Sequence, residues 1–221
     1  MFKFFEKSDA QIQKDVINEL KFDPSITSSE VSVSTSNGIV TLRGSVPHYS
    51  EKSSAESAAQ RISGVRAVAD EIEVNMMGSY ERSDEQIADS CVNAIEWSYT
   101  SPKNIKVSVD KGWITLKGET EWDFQRNAAQ SAVGQLMGVR GVTNDIAIKT
   151  KVKPADIKSK IEDALKRAAA SDSQNITVDV QGEKVTLNGN VHSLTESSEA
   201  QLAAWMAPGV STVVNNLKIA H

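Results

Sequence analysis

The chain has 221 residues, 39% hydrophobic, 24% charged and 5% aromatic, with a formal net charge of −5. That apolar content suits packed cores and is too high for a disordered chain, and the length suggests one or two domains of ordinary size. The mild acidity argues against nonspecific nucleic-acid binding, which needs a positive field around the phosphates. The single cysteine, Cys91, excludes an internal disulfide framework and any Cys-x-x-Cys zinc or redox motif. No apolar run approaches the roughly 18–20 residues that span a bilayer.

The chain begins with an apolar tip, Phe2, Phe4 and Phe5, flanked by Lys3 and Lys7. It is expected to pack on the protein or to dip into a lipid interface, and it is too short to anchor the protein alone. It has neither the apolar core nor the small-residue cleavage site of a secretory signal. The expected location is cytoplasmic if Met1 is the native start, and periplasmic if a signal peptide was removed.

The first predicted helix follows Ser8, with Ile12, Val16, Ile17 and Leu20 on one stripe. Two alternating strands come next. Val31 and Val33, then Val40 and Leu42, face inward, while Ser32 and Thr41 face out. Asn37-Gly38 makes the tight turn between them. A second helix rich in alanine (Ala55, Ala58, Ala59) is expected to end at Gly64 as a C-cap. The last strand carries Val65, Val68, Ile72 and Val74, with Asp70 among them.

This pattern returns twice. Gly-Ile-Val-Thr-Leu-Arg-Gly at 38–44 becomes Gly-Trp-Ile-Thr-Leu-Lys-Gly at 112–118. It becomes Gly-Glu-Lys-Val-Thr-Leu-Asn-Gly at 182–189, with one extra residue expected in the turn. The closing glycines Gly44, Gly118 and Gly189 each precede a second glycine (Gly64, Gly138, Gly209) by the same interval. In the second copy Ser83 starts a helix with Ile87, Cys91, Val92 and Ile95, and Ser83 with Gln86 forms a capping box. In the third, Pro154 precedes Ile157, Ile161 and Leu165. Asn144 and Asn215 take the place of Asp70, and these side chains are expected to bond backbone near the strand entry.

The expected fold is therefore α+β: three tandem α-β-β-α-β modules over 1–78, 79–150 and 151–221. Each is a small three-stranded mixed sheet with two helices on one face. Modules this small are marginal alone, so they are expected to dock on one another. The residues resemble the BON-domain family, in the hairpin-closing glycine and in a late Gly-Val followed by Val-x-Asn-x-Leu-x-Val. Val213-Val214-Asn215-Asn216-Leu217-Lys218-Ile219 and Gly138-Val139-Arg140-Gly141-Val142-Thr143-Asn144 carry the likeness. The resemblance implies a noncatalytic binding module associated with phospholipid interfaces, osmotic stress or, in one family member, potassium.

Little in the chain suggests catalysis. His-Glu-x-x-His, P-loop and Gly-x-Ser-x-Gly motifs are absent. His48 and His192 read as exposed loop histidines. Cys91 reads as a buried small hydrophobe, and Glu119, Glu121 and Asp123 as a solvated acidic rim. The four tryptophans are more informative. Trp97, Trp113, Trp122 and Trp205 each occupy a repeat position that is polar or small in another copy, and Trp113 is expected on the open sheet face. They either fill interfaces between modules or meet a membrane or partner. The third module opens with a basic cluster that includes Lys158, Lys160, Lys166 and Arg167, and such residues near anionic lipid contribute about 1 kcal/mol each. The expected function is a noncatalytic, stress-related scaffold with no cofactor, binding an anionic phospholipid surface or a protein partner. The alternative is a cytoplasmic sensor of K+ or Ca2+.

Overall fold

The computed structural model describes residues 7–26, 30–76, 78, 81–98, 104–149, 157–167 and 176–219, with side chains of the 157–167 helix described through Ala164. The first module has α1 (Asp9–Phe22), β1 (Val31–Ser36), β2 (Ile39–Val46), α2 (Tyr49–Gln60) and β3 (Ala67–Val74). The second has α3 (Asp84–Trp97), β4 (Lys106–Asp110), β5 (Trp113–Thr120), α4 (Asp123–Gly134) and β6 (Gly141–Ile148). The third has α5 (Ile157–Arg167), β7 (Ile176–Gln181), β8 (Lys184–Val191), α6 (Leu194–Trp205) and β9 (Thr212–Ile219). The α+β class and the three mixed three-stranded sheets are those the repeat implies. The hairpin strand sits in the middle of each sheet. It pairs antiparallel with the strand before it and, in the second and third modules, parallel with the strand after the helix. A parallel partner requires a crossover, and the alanine-rich helix supplies it.

Period-2 patterning explains the layering. Val40, Leu42, Ile114, Leu116, Val185 and Leu187 are fully buried beneath the helices. The first helix of each module contributes a stripe four residues apart: Ile12, Val16 and Leu20; Ile87, Cys91 and Ile95; Ile157 and Ile161. Each such aliphatic contributes about 1.5–3 kcal/mol by leaving water. Ser8 accepts from the Gln11 N–H at 3.3 Å, and Ser83 with Gln86 forms the full reciprocal box. The second helix offers small residues to the sheet: Ala55, Ala58 and Ala59; Ala129 and Val133; Ala200 and Ala204.

Two expectations about glycines are corrected. The third turn has no extra residue. Gly182 and Glu183 alone separate the paired Gln181 and Lys184, as Asn37-Gly38 and Lys111-Gly112 do in their hairpins. The first two turns have positive φ at both positions, whereas the third has it only at Gly182. The glycine has moved from the second turn position to the first, which exchanges a type I′ for a type II′ turn. Nor do Gly64, Gly138 and Gly209 cap their helices, which end four residues earlier at Gln60, Gly134 and Trp205. At φ of 90–91° they close a further turn that lets the first helix approach. A Cβ on Gly138 would stand 2.9 Å from Ile87 Cδ1, and one on Gly64 3.1 Å from Ile12 Cδ1. The hairpin-closing glycines answer a different need: a Cβ on Gly44 would fall 1.8 Å from the Glu30 carbonyl oxygen.

The chain divides into two compact units. One holds Met1–Ser45, Ser53–Glu73 and Pro154–His221; the other holds Val46–Lys52 and Val74–Lys153. Within the first unit the Gly64 N–H donates to the His192 carbonyl at 3.2 Å, joining first-module and third-module backbone. Within the second, Tyr49 packs on the cluster built from Ile87, Cys91, Ile114 and Leu116.

Candidate binding surfaces

Among the described residues, the most exposed large apolar side chains of the first and second modules occupy the same place in the repeat. Phe22, the last residue of α1, is 83% exposed, and Trp97, the last of α3, is 87% exposed. Each lies two positions beyond the final buried residue of its stripe, Leu20 or Ile95. Two residues turn a helix by about 200°, so the ring points away from the core.

Trp113 stands on the open face of β5, opposite to the buried Ile114 and Leu116, and is 50% exposed. Its ring lies across Gly141, its register partner on β6. A Cβ there would come within 2.4 Å of the indole. The indole N–H donates to Thr143 Oγ1 at 2.8 Å. Ile39 holds the equivalent place in the first module and is 46% exposed. The sequence signal for the indole's seat was the glycine itself, paired across from the largest side chain of the strand.

The other two tryptophans behave differently. Trp122 is the half-buried N-cap residue of α4, and its carbonyl accepts from the Gln125 and Arg126 N–H groups. Trp205 is a correction. It does not sit clear of the repeated core but packs, half-buried, against the third-module cluster that includes Ala200, Ala204 and Val210. The small residues of α6 leave volume beside the sheet, and the indole takes it.

Of the basic cluster, Lys158 faces Glu162 one turn on, at 3.9 Å. Lys160 lines an apolar groove with Ala164, Leu202 and Met206. Lys166 and Arg167 belong to the last turn of α5, and their side chains lie outside the described residues. Phe2, Phe4 and Phe5 also lie outside them.

The histidine expectation is corrected. His192 is half-buried, and its own N–H donates to Glu196 Oε2 at 2.6 Å. Its ring lies 3.3 Å from the same carboxylate, while its carbonyl receives Gly64. The His48 carbonyl accepts from Glu51 and Lys52, starting α2. The acidic rim is also corrected at one member: Asp123 is 4% exposed, opens α4 and pairs with Arg126 and Asn127. Glu119 pairs with Lys149. Cys91 is the buried hydrophobe expected, and burial pushes its thiol up to about 11, where almost no thiolate exists at neutral pH. Among the described residues no group of three or more His, Cys, Asp or Glu side chains is placed to hold a metal ion.

The late polar residue ties the second helix to the sheet. Asn144 Nδ2 donates to the Arg126 carbonyl at 2.9 Å and to Gln130 Oε1 at 3.2 Å. Asn215 Nδ2 does the same to Ser197 Oγ at 2.9 Å and Gln201 Oε1 at 3.2 Å. Each side-chain oxygen accepts from the N–H two residues on, Ile146 or Leu217, and Asp70 accepts likewise from Ile72. The asparagine amide nitrogens thus reach the helix, while the side-chain oxygens bond strand backbone at mid-strand rather than at the strand entry.

The BON domain family model matches residues 8–76, 83–150 and 154–221. The chain belongs to the BON-domain family. A curated relative, osmotically-inducible protein Y of Escherichia coli K12, is 25% identical over 146 residues, covering 64% of this chain and 73% of that protein. Among solved structures, CdsD, a structural protein of the type III secretion system of Chlamydia trachomatis, is 16% identical, with 94% of this chain and 91% of that one covered and a TM-score of 0.25. A second structure, the C-terminal domain of CdsD, is also 16% identical, with 97% and 100% covered and a TM-score of 0.24.

These BON modules hold one device that sequence reasoning missed. Asp9 of α1 accepts from both turn N–H groups, Asn37 and Gly38, at 2.8 Å each. Asp84 of α3 accepts from Lys111 at 2.8 Å and Gly112 at 2.9 Å. The available signal was an aspartate directly after the capping serine in both copies. Among the described residues no helix is long and apolar enough to cross a membrane.

Proposed function

We propose that this chain is a noncatalytic, stress-related BON protein that docks on anionic phospholipid surfaces through exposed aromatic residues. The family and the relative induced by osmotic conditions support the stress-related, nonenzymatic part. The exposure of Trp97 carries the surface part. An indole held 87% in solvent at a helix end gains most of its burial free energy only when something covers it. An interface that is apolar on one side and wet on the other suits its ring and N–H. The chain's net charge of −5 opposes approach to an anionic surface, so the aromatic carries the affinity, and an exposed lysine such as Lys158 adds a smaller attraction.

Co-sedimentation with anionic and with neutral vesicles tests this. Anionic vesicles are expected to retain the protein, Trp97→Ala to weaken retention about tenfold, and Lys158→Gln to weaken it less. Equal absence of binding to both vesicle types overturns the lipid reading and leaves a protein partner for the same indole.

A further inference from the structure

The first compact unit contains a crevice that the phospholipid reading does not use. First-module Ile39 and Arg66 form one side, and third-module Leu194, Leu217, Lys218 and Ile219 the other. Its volume is about 920 Å3, within the range of small-molecule sites, roughly 300–1,000 Å3. The bond from the Gly64 N–H to the His192 carbonyl at 3.2 Å ties the two sides close by in the chain.

Its chemistry is lopsided. The lining is mostly aliphatic, and among the described residues the charges it holds are Arg66 and Lys218, with no carboxylate. This occurs in a chain where 29 acidic residues outnumber 24 basic ones. Arg66 lies along the first hairpin turn, with Nη1 donating to the Asn37 carbonyl at 3.4 Å and its stem against Gly38. That contact spends one donor and leaves the rest of the guanidinium fork. Neither Arg66 nor Lys218 has an ion-pair partner among the described residues. Ile39 meanwhile keeps 46% of its surface in water.

We propose that this crevice binds a single-chain anionic amphiphile, a medium-chain carboxylate, with its head between Arg66 and Lys218 and its tail along Ile39, Leu194 and Ile219. A bare anion would leave the aliphatic wall wet, and a neutral chain would leave both cations unmatched. Only a ligand with both parts is complementary to both. The proposal stands independently of the phospholipid reading.

Isothermal titration calorimetry of the full chain with decanoate, kept below its micelle concentration, tests it. One-to-one binding with a negative heat-capacity change is expected. Arg66→Gln and Lys218→Gln should each weaken it about threefold to fivefold, as befits partly exposed charges, and Ile39→Asp should weaken it more. 1-Decanol and inorganic phosphate, each lacking one half of the ligand, should bind at least about tenfold more weakly. Lys218→Gln alters an exposed side chain, and an unchanged melting temperature shows that its effect is not misfolding. Absence of decanoate binding, indifference to both charge variants, or phosphate binding as tight as decanoate overturns the proposal. Trp97→Ala should leave decanoate binding intact, and Arg66→Gln should leave vesicle retention intact, so the two readings fail separately.

Discussion

The second and third modules share a strand register and differ in how they secure it. In the second, Lys111 and Gly112 both take positive φ, and Asp84 accepts from both of their N–H groups. In the third, Gly182 alone takes positive φ, and a Cβ there would meet nothing within 4 Å. The helix after the hairpin differs too. α6 is capped by the Ser193 hydroxyl, whereas α4 starts at Trp122 without a side-chain cap and places the buried Asp123 beside Arg126. Yet both modules tie that helix to the last strand through an asparagine that bonds two helix residues one turn apart, the Arg126 carbonyl and Gln130 in one, the Ser197 hydroxyl and Gln201 in the other. The repeat therefore maintains positions of backbone and of one polar tether. The means of closing turns and helix ends vary, because several local chemistries satisfy the same orphan N–H groups.

The comparison breaks most severely at a glycine. Gly138→Ala combines φ of 90° with a Cβ 2.8 Å from Arg82 Cβ and 2.9 Å from Ile87 Cδ1. It should destabilise the second module by about 3 kcal/mol. Gly182→Ala in the third module meets only the φ penalty, about 1 kcal/mol. Urea unfolding followed by fluorescence reads the first variant well, since Trp97, Trp113 and Trp122 all lie in the second module. Equal effects of the two substitutions would show that backbone φ, not close approach of α3, sets the requirement.

A middle-sized effect is expected at the turn clamp. Asp84→Ala leaves the Lys111 and Gly112 N–H groups without their carboxylate. It should cost about 1–2 kcal/mol, the scale of charge-assisted bonds to partly exposed donors. Faster amide exchange confined to Lys111 and Gly112 would accompany the loss. Unchanged exchange at these two amides would remove the clamp from the account.

Acid gives the smallest effect and singles out the first module. The hydrogen bond from Lys7 holds Asp15 below its ordinary 3.8, and the hydroxyl and N–H of Ser25 do the same for Asp23. Carboxyls lowered in the folded state contribute stability that is fully present above about pH 4. They lose it as pH falls through their lowered folded values. Both groups lie at the surface and are only partly covered, so each contribution is below about 1 kcal/mol. Protection factors of the α1 amides, with the intrinsic pH dependence of exchange divided out, should therefore fall modestly from pH 5 to pH 3, and Asp15→Asn should flatten the fall.

Sequence alone settled what depends on local period. The stripes of α1 and α3, the inward and outward faces of the hairpins and the Ser83 box are each set within a few residues, and the number of modules follows from phrases that recur along the chain at 38–44, 112–118 and 182–189. The outward placement of Trp113 followed from the same alternation, because Ile114 and Leu116 had to face the helices. Tertiary structure decided whatever joins residues far apart in the chain. Asp9 reaches its turn across 28 and 29 positions. Trp205 packs against a cluster assembled from α5, β7, β8 and α6, which only the folded third module brings together. The glycines after the second helix were legible as necessary, but their reason, the approach of Ile12 and Ile87, appears only when the first helix is in place. Periodicity fixes which face of an element is apolar. It carries no information about which distant group arrives to meet that face.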